Sequence, residues 1–158
     1  MRIVNTLFLI CLLSIVGKAQ IDIDYKEFKL DNGLDVIMHQ DNSSPTVSVS
    51  IMYHVGSKNE NPERTGFAHF FEHLLFEATE NIERGEYSKY VESAGGILNA
   101  NTSFDRTYYF EILPSNELEL GLWLESERLK HAKVDDIGIE TQRQVVKEER
   151  RQRMDNQP

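Results

Sequence analysis

Two histidines and a glutamate lie within five residues of one another, in the segment His69-Phe70-Phe71-Glu72-His73. In an α-helix, side chains at positions i and i+4 share a face, and the carboxylate at i+3 lies beside them. Two neutral imidazoles at this spacing can bind one Zn²⁺ ion, and a neighbouring carboxylate can accept a proton from water that the metal activates. The spacing therefore predicts a metal site with a general base, on the condition that the segment is helical.

A third ligand is expected from the last helix of the chain. One stripe of this helix consists of Ile139, Gln142, Val146 and Glu149. Glu149 thus occupies a position where an amphipathic helix would carry an apolar residue. A carboxylate that faces a core is costly unless it is paired or bound to a metal. Glu148 points about 100° away from the stripe, so Glu149 is predicted to be the ligand.

The alternative is that this cluster neither binds a metal nor takes part in catalysis. Two histidines and a glutamate on a solvated helix face also arise by chance, because the sequence contains 5 histidines and 26 acidic residues. On that interpretation the chain is a secreted α+β domain, and the acids and histidines are surface residues.

Hydrophobic periodicity predicts the elements that position the cluster. A helix is expected over about 66–78, with an apolar stripe that packs on a sheet. This stripe consists of Phe67, Phe71, Leu74, Leu75 and Ala78. A second helix is expected over about 83–94, where Gly95 and Gly96 stop it. Two longer helices are expected over 115–131 and from about 135 to the end.

Alternating apolar and polar residues predict the strands. Segments 25–30 and 34–39 flank Asp31-Asn32-Gly33, which is typical of a tight β-hairpin turn. Further strands are expected over 46–55, 97–103 and 107–113, with a loop over 56–65. The predicted fold class is α+β, an antiparallel sheet with helices packed on one face.

Composition limits the possible functions. With 158 residues, 40% hydrophobic and 27% charged, the sequence describes one ordinary globular domain. Cys11 is the only cysteine, which excludes an intramolecular disulfide and a cysteine-based zinc site. The formal charge of −9 argues against binding to nucleic acid.

The first 19 residues differ from the rest and predict a secretory signal peptide. Arg2 precedes an apolar run over 7–16, and Gly17-Lys18-Ala19 is typical of a cleavage site. The run is only about ten residues long, which makes a permanent membrane helix the weaker alternative. The expected location is periplasmic or extracellular, with no stable membrane span after removal of the signal.

These residues resemble those of a known family. The order His-x-x-Glu-His is that of the inverzincins, and Glu149 follows His73 by 76 positions, close to the family spacing. Further segments are similar to pitrilysin/insulinase-type peptidases, namely 56–60, 66–69, 95–100 and 145–151. The resemblance extends from about Phe28 to the last residue.

The resemblance implies a zinc endopeptidase. It assigns one Zn²⁺ per chain to His69, His73 and Glu149, with water in the fourth position, and it makes Glu72 the general base. Zinc would polarise the peptide carbonyl while Glu72 carries the proton to the leaving amine.

The resemblance also implies a substrate site. Family members hold an extended peptide against a sheet edge, and the matching segment here consists of Asn99, Ala100, Asn101 and Thr102. The candidate substrate-binding residues are Asn99, Ala100 and Thr102. An ordinary edge strand after a Gly-Gly turn is the alternative.

Two departures from the family pattern affect these expectations. Gln142 stands where the family often carries a further acid. Family members also enclose substrate between two related halves, each larger than this chain. Residues 20–158 are therefore expected to be the N-terminal part of a longer zinc metallopeptidase domain. A second half, a C-terminal domain or a partner subunit would complete it. A non-catalytic family member that serves in binding or assembly is the alternative function.

Overall fold

The computed structural model of the chain describes residues 23–155, with no description of the Met154 side chain. The chain divides into two compact units, Met1–Ser44 and Pro45–Pro158. The predicted signal peptide lies outside the described residues. Among residues 23–155, no helix combines the length and the apolar character that crossing a bilayer requires.

The described part of the first unit is a β-hairpin. Strand β1 (Tyr25–Lys29) pairs antiparallel with β2 (Asp35–His39), and Tyr25 lies opposite His39. The turn places Gly33 at a φ of 91°, a conformation that glycine adopts without strain. The N–H of Leu30 donates to the carbonyl of Leu34 at 2.9 Å. The hairpin predicted from Asp31-Asn32-Gly33 is therefore confirmed.

The second unit contains a three-stranded antiparallel sheet in the order β3-β5-β4. Its strands are β3 (Thr46–Tyr53), β4 (Ile97–Thr102) and β5 (Thr107–Pro114). Thr46 lies opposite Pro114, and Thr102 lies opposite Thr107. The central strand, β5, alternates buried and less buried residues, as expected when only one face of a sheet is covered.

The described residues of this unit form four α-helices. Two lie between β3 and β4, α1 (Phe67–Leu74) and α2 (Glu86–Ser93), and two follow β5, α3 (Leu118–His131) and α4 (Asp136–Asp155). Short 3₁₀ helices occur at Ser57–Asn59 and Ser115–Glu117. Packing of α1, α2 and α3 on the sheet buries Val49, Tyr109 and Leu113. The α+β prediction, with helices on one face, is confirmed.

The core lies between the sheet and helices α2 and α3. Its buried apolar residues are Ile82, Tyr87, Val91, Leu113 and Leu124. Beside them the guanidinium of Arg128, only 2% exposed, stacks on three aromatic rings, with its Cζ 4.2 Å from the ring centre of Tyr109. Glu125 accepts from Arg128 Nε at 3.0 Å. This pairing is what makes burial of the cation tolerable.

The first helix is shorter than predicted. It ends at Leu74, whereas the periodicity predicted continuation to Ala78. The carbonyl of Leu75 accepts a hydrogen bond from Arg128 Nη1 at 3.0 Å, and the carbonyl of Ala78 accepts one from the N–H of Lys133 at 2.9 Å. The N–H groups of Phe76 and Glu77 donate to the carbonyls of His73 and Leu74, three residues back, at 3.1 Å each, so the α-helical hydrogen-bond pattern stops there and the chain turns more tightly.

The predicted apolar stripe of this helix is also wrong in part. Leu74 and Ala78 are buried, but Phe67 and Phe71 are 52% and 48% exposed. These two rings line a cleft instead of packing under the sheet. Helix α2 likewise begins at Glu86, later than expected, since Gly85 precedes it in a left-handed conformation.

Candidate metal centre

The loop before α1 fixes the start of that helix. Both oxygens of Glu60 accept hydrogen bonds from backbone N–H groups, that of Gly66 and that of Ala68, each at 2.7 Å. A carboxylate at this end satisfies N–H groups that lack partners within the helix and complements the helix dipole. Because the helix starts at Phe67, His69 and His73 occupy successive turns of one face.

The structure brings His69, His73 and Glu149 together. The Nε2 atoms of the two histidines are 3.3 Å apart. Glu149 on α4 places Oε2 at 3.5 Å from Nε2 of His69 and Oε1 at 3.4 Å from Nε2 of His73. These residues form the group of three His and acidic side chains whose ligand atoms all lie within 4.8 Å of one another.

The donor set and its spacing fit zinc. Two imidazole nitrogens and one carboxylate are the protein ligands of many catalytic zinc sites. Ligand atoms at the corners of a tetrahedron, about 2.1 Å from its centre, lie roughly 3.3 to 3.5 Å apart. The two Nε2 atoms lie at such a distance from each other, and each lies at such a distance from one oxygen of Glu149, Oε2 for His69 and Oε1 for His73.

The environment of Glu149 differs from the expectation. Its side chain is 35% exposed, so the premise of a carboxylate that faces a core is wrong. The stripe predicted for the helix nevertheless holds, because Gln142, Val146 and Glu149 are all half-buried. Glu148 is exposed and pairs with Arg151 at 3.2 Å. The two neighbouring glutamates therefore point in different directions.

Glu72 lies beside the centre and is held by the sheet. The hydroxyl of Thr102 on β4 donates to Glu72 Oε2. The phenol of Tyr109 on β5 donates to the backbone carbonyl of Glu72 at 3.3 Å. Burial raises the pKa of this phenol well above its usual range, so it remains a donor. Among the described residues, no hydrogen bond reaches Oε1 of Glu72.

Asn99, Ala100 and Thr102 lie on β4, an edge strand of the described sheet. The side-chain oxygen of Asn99 accepts from the N–H of Ala100 at 2.8 Å. The side chain of Thr102 is directed to Glu72, as described above. The predicted substrate segment thus joins the base to a sheet edge.

A set of contacts behind His73 was not predicted from the sequence. His73 Nδ1 lies 3.1 Å from Oε1 of Gln142, whose Nε2 donates to Oε1 of Glu77. Glu77, only 7% exposed, also accepts from Nη1 of Arg84, and Nη2 of Arg84 donates to Asp135 at 2.7 Å. Glu77 follows His73 by four residues, a spacing that places two side chains on one face only within a helix. Because α1 ends at Leu74, this spacing does not predict that Glu77 lies behind His73.

A cleft of about 600 Å³ opens beside His69 between α1 and the C-terminal half of α4. Apolar and cationic side chains line it together, among them Phe67, Phe70, Val146, Arg143, Lys147 and Arg150. The centre therefore has open space on one side.

The fold and the donor set are typical of zinc metallopeptidases with two helix-borne histidines and a distal glutamate. Residues 35–158 match the insulinase family (peptidase family M16). The chain belongs to this family.

Individual relatives agree with this assignment. Zinc protease PqqE of Helicobacter pylori is 39% identical over 135 residues, which cover 85% of this chain and 30% of that protein. Cytochrome b-c1 complex subunit 1 of Bos taurus is 34% identical over 121 residues, which cover 77% of this chain and 25% of that protein. The chain therefore spans less than a third of the length of these relatives.

Solved structures show the same fold. The crystal structure of a protease from Helicobacter pylori superposes with a TM-score of 0.81 and 38% identity, covering 87% of this chain and 33% of that chain. Pitrilysin superposes with a TM-score of 0.74 at 23% identity, covering 85% of this chain and 14% of that chain.

Proposed function

We propose that this chain carries the zinc centre and the general base of an endopeptidase that hydrolyses extended peptides. The observation that supports this most is the convergence of His69, His73 and Glu149 at distances suited to one zinc ion. The similarity to a protein named a zinc protease agrees with the proposal. Glu72, on the same helix face, is the base.

Each residue has a defined task in this proposal. Zinc, when bound by such a donor set, supplies Lewis acidity that lowers the pKa of water towards neutrality and polarises a carbonyl. Glu72 accepts the proton of the attacking water at Oε1, the oxygen to which no described residue donates, and delivers it to the leaving amine. Thr102 keeps the carboxylate in place through Oε2.

The edge of β4 that pairs with no other described strand is the proposed binding site for an extended peptide. Main-chain pairing at a sheet edge binds peptides with little dependence on side chains. Asn99 and Ala100 offer small and amide-bearing groups there, and Thr102 connects this edge to Glu72. A peptide aligned with β4 would therefore lie next to the base.

The proposal includes a second half. Hydrolysis needs the reacting atoms about 3 to 3.5 Å apart and shielded from bulk water. Among the described residues, β4 provides one wall and no opposing wall. We propose that a second half, a C-terminal domain or a partner subunit supplies it, and that residues 20–158 act as one part of a larger peptidase domain.

Export is also a proposal. Residues 1–19 predict a signal peptide, and cleavage would leave Gln20 as the first residue. Expression with the native start, followed by N-terminal sequencing of the secreted product, tests this. Retention of Met1 in the mature protein would contradict it.

Zinc analysis of the purified chain tests the proposed centre. We expect about one zinc per chain, and loss of this zinc in His69→Ala and in His73→Ala. Zinc content that is unchanged in both variants would eliminate the site, and the solvated-surface interpretation would then hold.

Turnover of a fluorogenic, unstructured peptide tests the activity. We expect slow cleavage by the chain alone and much faster cleavage when the rest of the protein is supplied, at equal zinc occupancy. Full turnover by the chain alone, abolished by Glu72→Gln, would show that no second half is needed.

A non-catalytic role in a protein complex is the second candidate. The 34% identity to a subunit of the cytochrome b-c1 complex favours it. It predicts that a complete, zinc-loaded protein hydrolyses no peptide. The same turnover assay, carried out with a mixture of peptide sequences, therefore separates the two functions.

A further inference from the structure

The imidazole of His73 is held on both sides. Its Nε2 atom faces His69 and Glu149, and its Nδ1 atom lies 3.1 Å from the side-chain oxygen of Gln142. Behind Gln142 lies Glu77, whose carboxylate is 7% exposed and accepts from both Gln142 Nε2 and Arg84 Nη1. We refer to Glu77, Gln142 and the Nδ1 atom of His73 as the Glu77 relay.

The donors and acceptors in this relay have only one consistent order. The carboxylate of Glu77, which is ion-paired with Arg84, can only accept hydrogen bonds. The amide of Gln142 must therefore turn its NH₂ group towards Glu77 and its oxygen towards His73. A carbonyl oxygen cannot donate, so the proton must be on Nδ1 of His73. Nε2 is left with a lone pair directed at the other two ligands.

We propose that Glu77, through Gln142, selects the tautomer of His73 that binds metal at Nε2, so that both are positioning residues of the zinc centre. This inference rests on the proposed function. Outer hydrogen bonds of this kind fix the ring and the tautomer of ligating histidines. Here the carboxylate of Glu77 does not contact His73 directly. It orients the amide of Gln142, and this amide accepts from the imidazole.

Arg84 fixes the relay to both helices. It joins Glu77, just after α1, to Asp135, just before α4, and the N–H of Gly138 donates to the same Asp135 oxygen at 2.8 Å. A Cβ atom on Gly138 would lie 2.8 Å from Nη1 of Arg84, so a larger residue there would displace the guanidinium from its present position. The same contacts that orient Gln142 therefore also hold the helix that carries Glu149.

The relay explains why glutamine is suitable at position 142. A carboxylate at this position would face the buried carboxylate of Glu77, and two like charges at hydrogen-bond distance are unfavourable. An acid at 142 is therefore compatible with this chain only if residue 77 becomes a donor. The relay predicts that Gln142→Glu alone weakens the centre, and that the reciprocal exchange Glu77→Gln/Gln142→Glu restores it.

The tautomer of His73 can be measured directly by ¹⁵N NMR on the full zinc-free chain at about pH 8.5, where an imidazole is ordinarily neutral. We expect a proton on Nδ1, which faces the side-chain oxygen of Gln142. In Glu77→Gln, Arg84 holds the new amide oxygen, its NH₂ group turns Gln142 around, and Nδ1 should lose its proton. Absence of a proton from Nδ1 of His73 in the unmodified chain would overturn the proposal without the need for any variant.

Zinc affinity, measured by competition with a chromogenic chelator, tests the consequence. We expect Glu77→Gln and Gln142→Glu each to bind zinc about 10- to 100-fold more weakly, and the double exchange to return to within about threefold of the unmodified chain. Gln144→Glu is the matched control, because Gln144 is an exposed amide on α4 that donates to Glu140 at 2.6 Å. Its zinc affinity should be unchanged.

The failures of the two proposals are distinguishable. If the unmodified chain binds no zinc, the proposed function fails, whatever the tautomer. If zinc binds but Gln142→Glu binds it as tightly as the unmodified chain, or the double exchange is no better than the single variants, the relay does not position His73. Circular dichroism of each zinc-free variant confirms that the chains compared are folded.

Discussion

The clearest test of the centre is to compare two neighbouring glutamates on one helix. Glu149→Gln replaces a carboxylate whose two oxygens lie 3.4 and 3.5 Å from the Nε2 atoms of His73 and His69. Glu148→Gln makes the same chemical change one residue earlier, at an exposed side chain paired with Arg151. Both substitutions preserve side-chain volume and remove one negative charge from α4, so long-range electrostatic effects are matched.

The expected magnitude follows from the role of each oxygen. Changes to residues that only orient a ligand cost about 10- to 100-fold in metal affinity. Loss of a ligand itself must cost at least as much as the upper value, about 100-fold or about 2.8 kcal/mol at 25 °C. Glu148 makes no contact with His69 or His73, so its replacement should change the zinc dissociation constant by less than about threefold.

Chelator competition at fixed ionic strength measures both dissociation constants, and calorimetry provides an independent value. The reasoning is refuted if the two variants lose affinity equally, because the effect is then one of net charge. If Glu148→Gln alone loses zinc, the register of α4 is wrong and Glu148 is the ligand.

Three further outcomes are expected. Glu72→Gln should keep its zinc, because Glu72 is outside the group of ligands. It should reduce the rate of peptide hydrolysis by about 10²- to 10⁴-fold in an assay of the complete protein. Loss of zinc would instead make Glu72 a ligand. Leu124→Ala, which removes fully buried side-chain atoms, should lower the free energy of unfolding by about 2 to 5 kcal/mol in urea titrations, and a change below about 1 kcal/mol would place Leu124 outside the core. Burial, together with Glu125, raises the pKa of Glu111 to about 9, above its unfolded value of about 4.3. The bound proton therefore contributes its full stabilisation below about pH 4. This contribution to the free energy of unfolding declines as the pH rises to 9, by at most about 1.4 kcal/mol per pH unit. Glu111→Gln should show a smaller decline over pH 5 to 9 in thermal unfolding, and parallel curves for the two proteins would exclude this assignment.

Local patterns were sufficient for most of the secondary structure. The turn at Gly33 depends on the conformational freedom of glycine. Strand β3 depends on the alternation of apolar and polar residues along it. Both signals lie in residues that are adjacent in the sequence. The predicted extension of the first helix to Ala78 was wrong, because the N–H groups of Phe76 and Glu77 bond three residues back and the chain turns away from the helix. The segment after the turn is held by residues more than 50 positions away, which bond to the carbonyls of Leu75 and Ala78, and no window of neighbouring residues contains that information.

The candidate ligands show the same division. His69 and His73 could be paired from the sequence because one turn of helix determines their spacing. The helical stripe predicts the side of α4 on which Glu149 lies, and the structure agrees, but the premise of a buried carboxylate is wrong because the side chain is 35% exposed. The roles of these residues in binding zinc remain predictions.

The sequence by itself determined the type and spacing of the groups: two imidazoles and a carboxylate on one helix face, and a single carboxylate at a defined position of a later helix. Only the tertiary structure decided which groups stand behind them. Glu77 comes within reach of Gln142 because α1 ends early and the chain turns back towards α4, where Arg84 and Asp135 join the two segments. Helical periodicity fixes neighbours three or four residues apart, whereas contacts between residues 65 positions apart depend on how whole elements pack.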